Sequence, residues 1–588
     1  MKIPHFLAGG LLTAALICAS SLEAQTWTTL TNAPPAPLGT AMLLTDGTVM
    51  AQGMTSVGYG TGNWYRLTPN ASGSYANGTW STLASMPSGY APLYYASAVL
   101  ADGKVVVVGG EYNGSSQSES NKGAIYNPAA NTWTSISPPS GWTYIGDAPG
   151  IVLANGTFTI GNCGATIADA ACPGDVMYQA QLQESTLTWT TTDPADGKAD
   201  PDSEEGWGLL PNGKVLTVDV WDAPNSEAFN PSTNAWSTAG STIVTLPSSN
   251  PCYEIGPEVL RPEGSVFAVG GTGATAVYST SSGTWAQGPT LPDDYAVEDG
   301  PGAILPDGNV LIDVSAWSTS DCYQTGAHFY EFNGTSLTSV PGPSRAADDA
   351  TYQGRMLVLP TGQILYTDGS TTVQVYTPAG TYQSAWQPVV TSVASTLTPG
   401  STGNAISGTQ FNGLSQGAMY GDDAQMATNY PLVRIVNNTG GEVTYCKTHN
   451  HSTMAVATGT ATVSTEFDVP AGIPTGAATL YVVANGIPSP GVAVTIAGPN
   501  CTATPQCSGD GSFTVATVSL SCTEPAEIST SATVCGLETG GCGTSDGPSG
   551  LLTSSSAGYQ GETVGSPYCQ LDWCVAGSCT NQQMNPNQ

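Results

Sequence analysis

Basic residues are scarce in this chain: Lys and Arg number 11 against 44 Asp and Glu, for a formal charge of −33 at pH 7. A surface of that sign repels phosphate backbones, which excludes nucleic acid as a partner. The acid serves either solubility or cation binding. Histidine is sparse, at 4 residues. No stretch sustains a helical period, and no apolar run is long enough to span a bilayer. The one compact apolar run, 6–19 behind Lys2, is too short for a span and reads as an export leader cut after Ala24. The mature chain is therefore expected to be secreted or held at the cell surface, with no membrane span.

What is plentiful is glycine (71) and proline (42), set among Thr, Ser and Asn. That mix favours short strands and tight turns, and 588 residues exceed one ordinary core. One unit recurs: an apolar strand, a two-residue turn and a second apolar strand. It appears as AMLLTDGTVMAQG (41–53), SAVLADGKVVVVGG (97–110) and GIVLANGTFTIG (150–161). It returns as GLLPNGKVLTVD (208–219), EVLRPEGSVFAVGG (258–271), AILPDGNVLIDV (303–314) and MLVLPTGQILYTDG (356–369). The Asp-Gly and Asn-Gly turns select hairpins. Successive turn glycines, from Gly47 to Gly362, lie 56, 53, 57, 51, 44 and 54 residues apart. A second signature, a Trp among small polar residues, sits between the units at Trp80, Trp133, Trp236 and Trp285. Tyr126, Phe229 and Tyr278 precede three of these by seven residues. Two hairpins per unit make a four-stranded blade, so the fold class is all-β, with a seven-bladed β-propeller over 25–387.

The pattern resembles kelch repeats, in particular the long blades of the galactose oxidase and glyoxal oxidase family. Residues 388–497, from PVVTSVASTLTPG to VANGIPSPGVAVTI, resemble the immunoglobulin-like domain that follows the propeller there. Within them THNHSTM (448–454) is similar to the family's Thr-His loop, whose histidine reaches the propeller axis to bind copper. The family's copper radical site takes a Cys thioether-linked to one Tyr, a second axial Tyr and two His. Counted back from the turns, the Tyr-His pair falls on Tyr352 and Gln353. The cysteine position falls on or near Tyr94, the cross-linked tyrosine on Asp147, and the loop histidine on His449. The resemblance implies the architecture without the usual copper radical chemistry, with Tyr352 and His449 as the catalytic candidates of any oxidase.

Two further features carry candidate chemistry. Cys446, His449, His451 and Met454 crowd soft and borderline metal ligands into nine residues, with the C-x2-H-x4-M spacing of blue-copper proteins, so copper is a candidate cofactor. Acidic residues precede the turns, where inner strands start near the axis: Asp147, Glu204, Glu205, Glu254, Glu298 and Asp299, with Glu258, Asp348 and Asp349 beside them. Repeated at equivalent places, they would ring one mouth of the propeller, holding calcium or a hydroxyl-rich or cationic ligand. Thirteen of the 14 cysteines remain once Cys18 leaves with the leader. Cys163 can staple a loop with Cys172, and Cys252 with Cys322. Eight lie in a cysteine-rich module at 498–588, leaving Cys446 the most isolated. The expected function is extracellular binding of carbohydrate or a cell-surface polymer at the mouth. The alternatives are a copper oxidoreductase with a rearranged site around Tyr352, Cys446, His449 and His451, and a structural envelope or adhesion protein holding calcium.

Overall fold

The computed structural model describes residues 25–163, 179–192, 197–249, 252–318, 322–420 and 429–498, and the backbone of seven further strands between Cys501 and Met584. The expected leader lies outside the described residues.

The chain is all-β and propeller-like. Leu38–Leu43, Val49–Met54, Gly60–Thr68 and Thr79–Thr82 pair in that order as one antiparallel sheet. Five further four-stranded sheets of this kind occur among the described residues before 388, and Pro301–Ile304, Val310–Ala316, His328–Phe332 and Leu337–Val340 pair the same way within a six-stranded sheet. Each begins with an apolar strand buried along its length, such as Leu38–Leu43 or Ile255–Leu260, and ends on a mostly exposed strand such as Thr79–Thr82. A continuous apolar run suits a strand covered on both faces, whereas the Thr-rich outer strands meet water. The turn glycines, Gly47 at φ 74° and Gly103 at φ 82° among them, adopt the left-handed backbone that a two-residue hairpin turn demands.

The recurring tryptophans join one sheet to the next. Trp80 Nε1 donates to the Asn32 carbonyl (3.1 Å), Trp133 to Ala84 (3.0 Å) and Trp189 to Ser137 (2.8 Å), each acceptor lying just past the outer strand of the preceding sheet. The aromatic residue seven positions earlier stands opposite its tryptophan across the strand pair: Tyr126 on Trp133, Phe229 on Trp236 and Tyr278 on Trp285, with ring centroids 5.1, 5.4 and 5.1 Å apart. Such cross-strand aromatic pairs add to area burial. The seventh sheet takes its outer strand from the start of the chain. Thr26–Thr29 pairs with Gln374–Thr377, and Trp27 completes the series by packing on Tyr376 and donating to Pro341. The inner strand of the first sheet contacts those of the second and the seventh, so the sheets follow one another around an axis.

Residues 389–496 form a curled, mostly antiparallel sheet wrapped on its own core, which includes Leu397, Ile406, Phe411, Val433, Phe467 and Leu480. This unit packs on the hairpin-turn end of the ring. Thr448 N donates to Thr45 O (3.1 Å), Val443 N to Ala71 O (2.8 Å) and Met454 N to Ala154 O (3.0 Å). From it, Ala418–Tyr420 enters the axis and pairs antiparallel with the inner strand Pro301–Ile304, while Gln416 bonds the backbone of Leu209 and Leu260. Inner strands leave one backbone edge open at the axis, and this insertion occupies part of it. In the tail, two sheets of three and four strands set Cys501 opposite Cys522, Cys535 opposite Cys542, and Cys574 opposite Cys579 in backbone register.

Trp285 is the most buried of the tryptophans that bond a neighbouring sheet: it is 7% exposed and donates to Ser226 Oγ at 2.8 Å. Trp285→Phe is expected to cost about 1 kcal/mol through the lost bond. Trp285→Ala is expected to cost about 3–5 kcal/mol. Chemical denaturation of both variants measures the difference.

Candidate functional site

Tyr94, Asp147, Glu204 and Asp299 each stand nine residues before a turn glycine, Gly103, Gly156, Gly213 and Gly308 respectively. Four sheets therefore bring the same position to the same end of the ring. That end lies opposite the turns, because the inner strand runs between the two. Three of these residues hold left-handed backbone, Tyr94 at φ 52°, Glu204 at φ 62° and Asp299 at φ 51°. Non-glycine residues rarely adopt that region, and such strain gathers where side chains are being aimed.

Together they open a cavity of about 290 Å³, lined by Tyr94, Glu111, Tyr112, Asp147, Glu204, Glu254, Asp299, Tyr323 and Tyr352. Carboxylate oxygens of Glu204, Glu254 and Asp299 lie within 4.8 Å of one another. The Tyr323 hydroxyl donates to Glu254 Oε1, and the Tyr323 and Tyr352 rings meet edge-on at 5.2 Å. Tyr94 and Tyr112 make a second edge-on pair at 6.2 Å, with Tyr59 beyond Tyr112. Burial, reinforced by nearby carboxylates, holds the Tyr94 and Tyr323 hydroxyls well above the usual phenol range and pushes Tyr112 up to about 12. These rings therefore stay neutral and serve as donors and apolar faces. Among the described residues no Lys or Arg lines the cavity. Arg355 is buried next to the cavity's Tyr94, with its guanidinium 5.5 Å from that ring's centroid and Nη1 donating to the carbonyls of Tyr352 and Gly354. A disulfide joins Cys252 to Cys322 and ties the segments that carry Glu254 and Tyr323. Cys163 is also disulfide-bonded, whereas Cys172 lies outside the described residues.

Not every expected acid faces the mouth. Glu205 is fully buried, paired with Lys198 (2.8 Å) and accepting from Thr217 Oγ1 and Val220 N. Glu298 lies under Ser248, whose hydroxyl donates to it at 3.2 Å. Glu258 accepts from Val218 N (2.9 Å), and Asp349 is buried beside Arg345, while Asp348 is exposed. Of Glu204–Glu205 and Glu298–Asp299 only Glu204 and Asp299 line the cavity, and each is the member of its pair held in left-handed backbone rather than in a strand.

The cluster expected at 446–454 is not brought together. Strand Val443–His449 alternates, which turns Cys446 into the core of the second unit and His449 to the other face. Cys446 is a buried free thiol, its pKa pushed up by burial. His449 Nε2 bonds Asp468 at 3.0 Å. His451 bonds Thr465 through Nδ1 and stacks near Tyr430, and burial lowers its pKa to about 4. Met454 packs into the propeller-like core. The loop sits at the turn end, away from Tyr352. The donors lining the mouth are carboxylates and phenols, without histidine or cysteine, which does not fit a copper radical centre.

Sequence reasoning passed over Glu111, Tyr112 and Tyr323 as site residues. Glu111 and Tyr112 follow a second strand rather than precede a first one, and only the neighbouring Cys322 marked Tyr323. It also missed Lys198, a buried cation ringed by Asp200, Asp202, Glu205, Asp219 and Glu227.

A kelch motif model matches residues 92–140, which span the second sheet from Ala96–Val99 to Thr132–Ile136. No curated protein matches the sequence. Among solved structures, the extracellular domain of a hybrid two component system protein, BT3049 of B. thetaiotaomicron, aligns at 7% identity and a TM-score of 0.37, covering 94% of this chain and 98% of that one.

Burial raises several carboxyls: Asp202 and Asp349 to about 7, Asp219 and Glu258 to about 8, and Glu298 to about 9. A raised carboxyl stabilises the fold below its unfolded pKa, near 4, and that contribution is lost as pH climbs through the folded value. The melting temperature is thus expected to fall by several degrees between pH 5 and pH 9. Calorimetry across that range checks it, and a rise would contradict the assignment.

Proposed function

We propose that this is an extracellular seven-bladed propeller, followed by an immunoglobulin-like domain and related to the galactose oxidase family, that binds carbohydrate at its mouth without copper radical chemistry. The observation carrying this reading is the lining of the cavity. Tyrosine faces suit the C–H faces of a sugar ring, and flanking carboxylates accept from its hydroxyls. A ring of repeats supplies such groups from several blades at once, and blade-top loops tolerate the variation that specificity needs. The family's radical positions supply part of the same cavity here, as Tyr94, Asp147 and Tyr352.

A glycan array probed with the full chain, followed by titration of each bound glycan, tests this. Tyr94→Ala and Tyr352→Ala are expected to weaken binding at least ~10-fold with the melting temperature unchanged, since one lost sugar–aromatic contact carries about 1.4 kcal/mol or more. Binding that ignores both variants, or hydrogen peroxide release from alcohols or aldehydes, would overturn it. One observation favours a second reading: the spacing of Glu204, Glu254 and Asp299 suits a hard divalent cation. Calcium-dependent thermal stabilisation with no glycan bound decides for that structural role.

A further inference from the structure

We infer that the binding surface continues past the cavity onto the rim, where Tyr59 makes an outer subsite, so that the protein favours a linear glycan chain over a free sugar; this rests on the carbohydrate reading above. The second strand of each sheet runs back toward the mouth, so the turn that follows it stands at the rim. In the first sheet that turn is 55–58, between Val49–Met54 and Gly60–Thr68. It is closed by Thr55 N on Tyr59 O (2.8 Å) and by Tyr59 N on Thr55 Oγ1 (3.0 Å). Its tip, Val57, is 76% exposed. Tyr59, half-buried at its foot, packs on Tyr112 with centroids 6.2 Å apart and planes at 50°. Tyr112 lines the cavity and meets Tyr94 at 67°, whereas Tyr59 lies outside the lining. Three tyrosines therefore lead outward from the cavity to the rim. Rings at those angles do not cover one another face to face, which leaves aromatic surface for the C–H face of a sugar.

Both outer rings are anchored to the same short strand, Pro92–Leu93. Gln52, buried, donates from Nε2 to Pro92 O (2.8 Å) and Thr61 O (3.0 Å), and accepts from the Tyr95 hydroxyl at 2.9 Å. A Cβ at Gly60 would overlap the Pro92 carbonyl, so the chain just past Tyr59 is pressed against that strand. Tyr112–Asn113 pairs with Pro92–Leu93 on one side and Ser116–Gln117 on the other, and Asn113 Oδ1 accepts from Ala91 N at 2.8 Å. A platform fixed in this way loses little freedom when a ligand settles on it. A single exposed apolar side chain needs no explanation. Here the exposed Val57, Tyr59 and Tyr112 continue a cavity that is itself small. Its volume, about 290 Å³, is near the lower bound of ligand pockets and holds roughly one or two sugar units. A longer chain has to leave it across the rim.

The test is titration of the full chain with the dimer and the hexamer of β-1,4-linked glucose, β-1,4-linked N-acetylglucosamine and α-1,4-linked glucose. Matched short and long forms of any other glycan captured on the array are added. For the sugar that binds, the hexamer is expected to be at least ~10-fold tighter than the dimer, beyond the few-fold that repeated units give by number alone. Tyr59→Ala is expected to weaken the hexamer ~5- to 10-fold and leave the dimer unchanged. Tyr59→Phe, which keeps the ring, is expected to restore the hexamer. Should Tyr59→Ala fail to fold, Tyr59→Leu removes the ring while keeping its bulk, and the same comparison decides. A hexamer no tighter than the dimer, or an advantage that survives loss of the ring, overturns the outer subsite and leaves the carbohydrate reading standing. Equal weakening of dimer and hexamer overturns it too, because Tyr59 then acts only by holding Tyr112. If no glycan binds at any length, both readings fall together.

Discussion

Lateral attachment of one short sheet to the next governs the described residues before 388. A four-stranded sheet whose inner strand is apolar on both faces cannot stand alone in water, and it stabilises only when neighbours cover it. The outer-strand tryptophan meets that need twice. Its ring packs on the aromatic or aliphatic residue across the strand pair, and in several sheets its indole N–H reaches a carbonyl of the sheet before. The sequence must then deal with its last free edge, and it does so with its first strand. Thr26–Thr29 and Trp27 complete the seventh sheet, tying residue 26 to residue 377.

The mouth follows from this arrangement. Because every unit enters its inner strand at the same end, a residue placed nine before the turn glycine arrives beside its counterparts whatever the sequence distance between them. Asp147 and Asp299, over 150 residues apart, so come to line one cavity. The opposite end is closed by the unit at 389–496, whose inserted strand Ala418–Tyr420 bonds the axis-facing edge of Pro301–Ile304. Among the described residues, the tyrosines and carboxylates gather at the other end. Glu205 and Glu298 lie behind them, and the paired acids of the sequence divide between surface chemistry and buried support.

Much of this was legible in the chain. The Asp-Gly turns, the Trp at fixed distance from an aromatic residue, and the spacing of the units encode strand pairing through local geometry alone, and each resolves in the structure as a turn or a cross-strand contact. Asp147, Glu204, Glu254 and Asp299 were legible for the same reason. What the pattern could not carry was side-chain direction. Glu204 and Glu205 look alike in sequence, and only the local turn, with Glu204 in left-handed backbone, separates a cavity acid from the partner of Lys198. The 446–454 loop failed differently. Its residues match a metal-ligand spacing, but strand alternation parts Cys446 from His449, and Met454 is drawn off by the hairpin at Ala154. Tyr323 and Tyr112 come from segments outside the repeat, where period and offset say nothing.

The central claim is that the open end, and not the 446–454 loop, is where this protein meets its ligand. Hydrogen–deuterium exchange of the full chain with and without a bound glycan locates the contact directly. The account predicts slowed exchange in the segments around Tyr94, Glu204, Glu254, Asp299 and Tyr352, with 445–454 unchanged. Protection confined to 445–454, with the mouth segments unaltered, would contradict it.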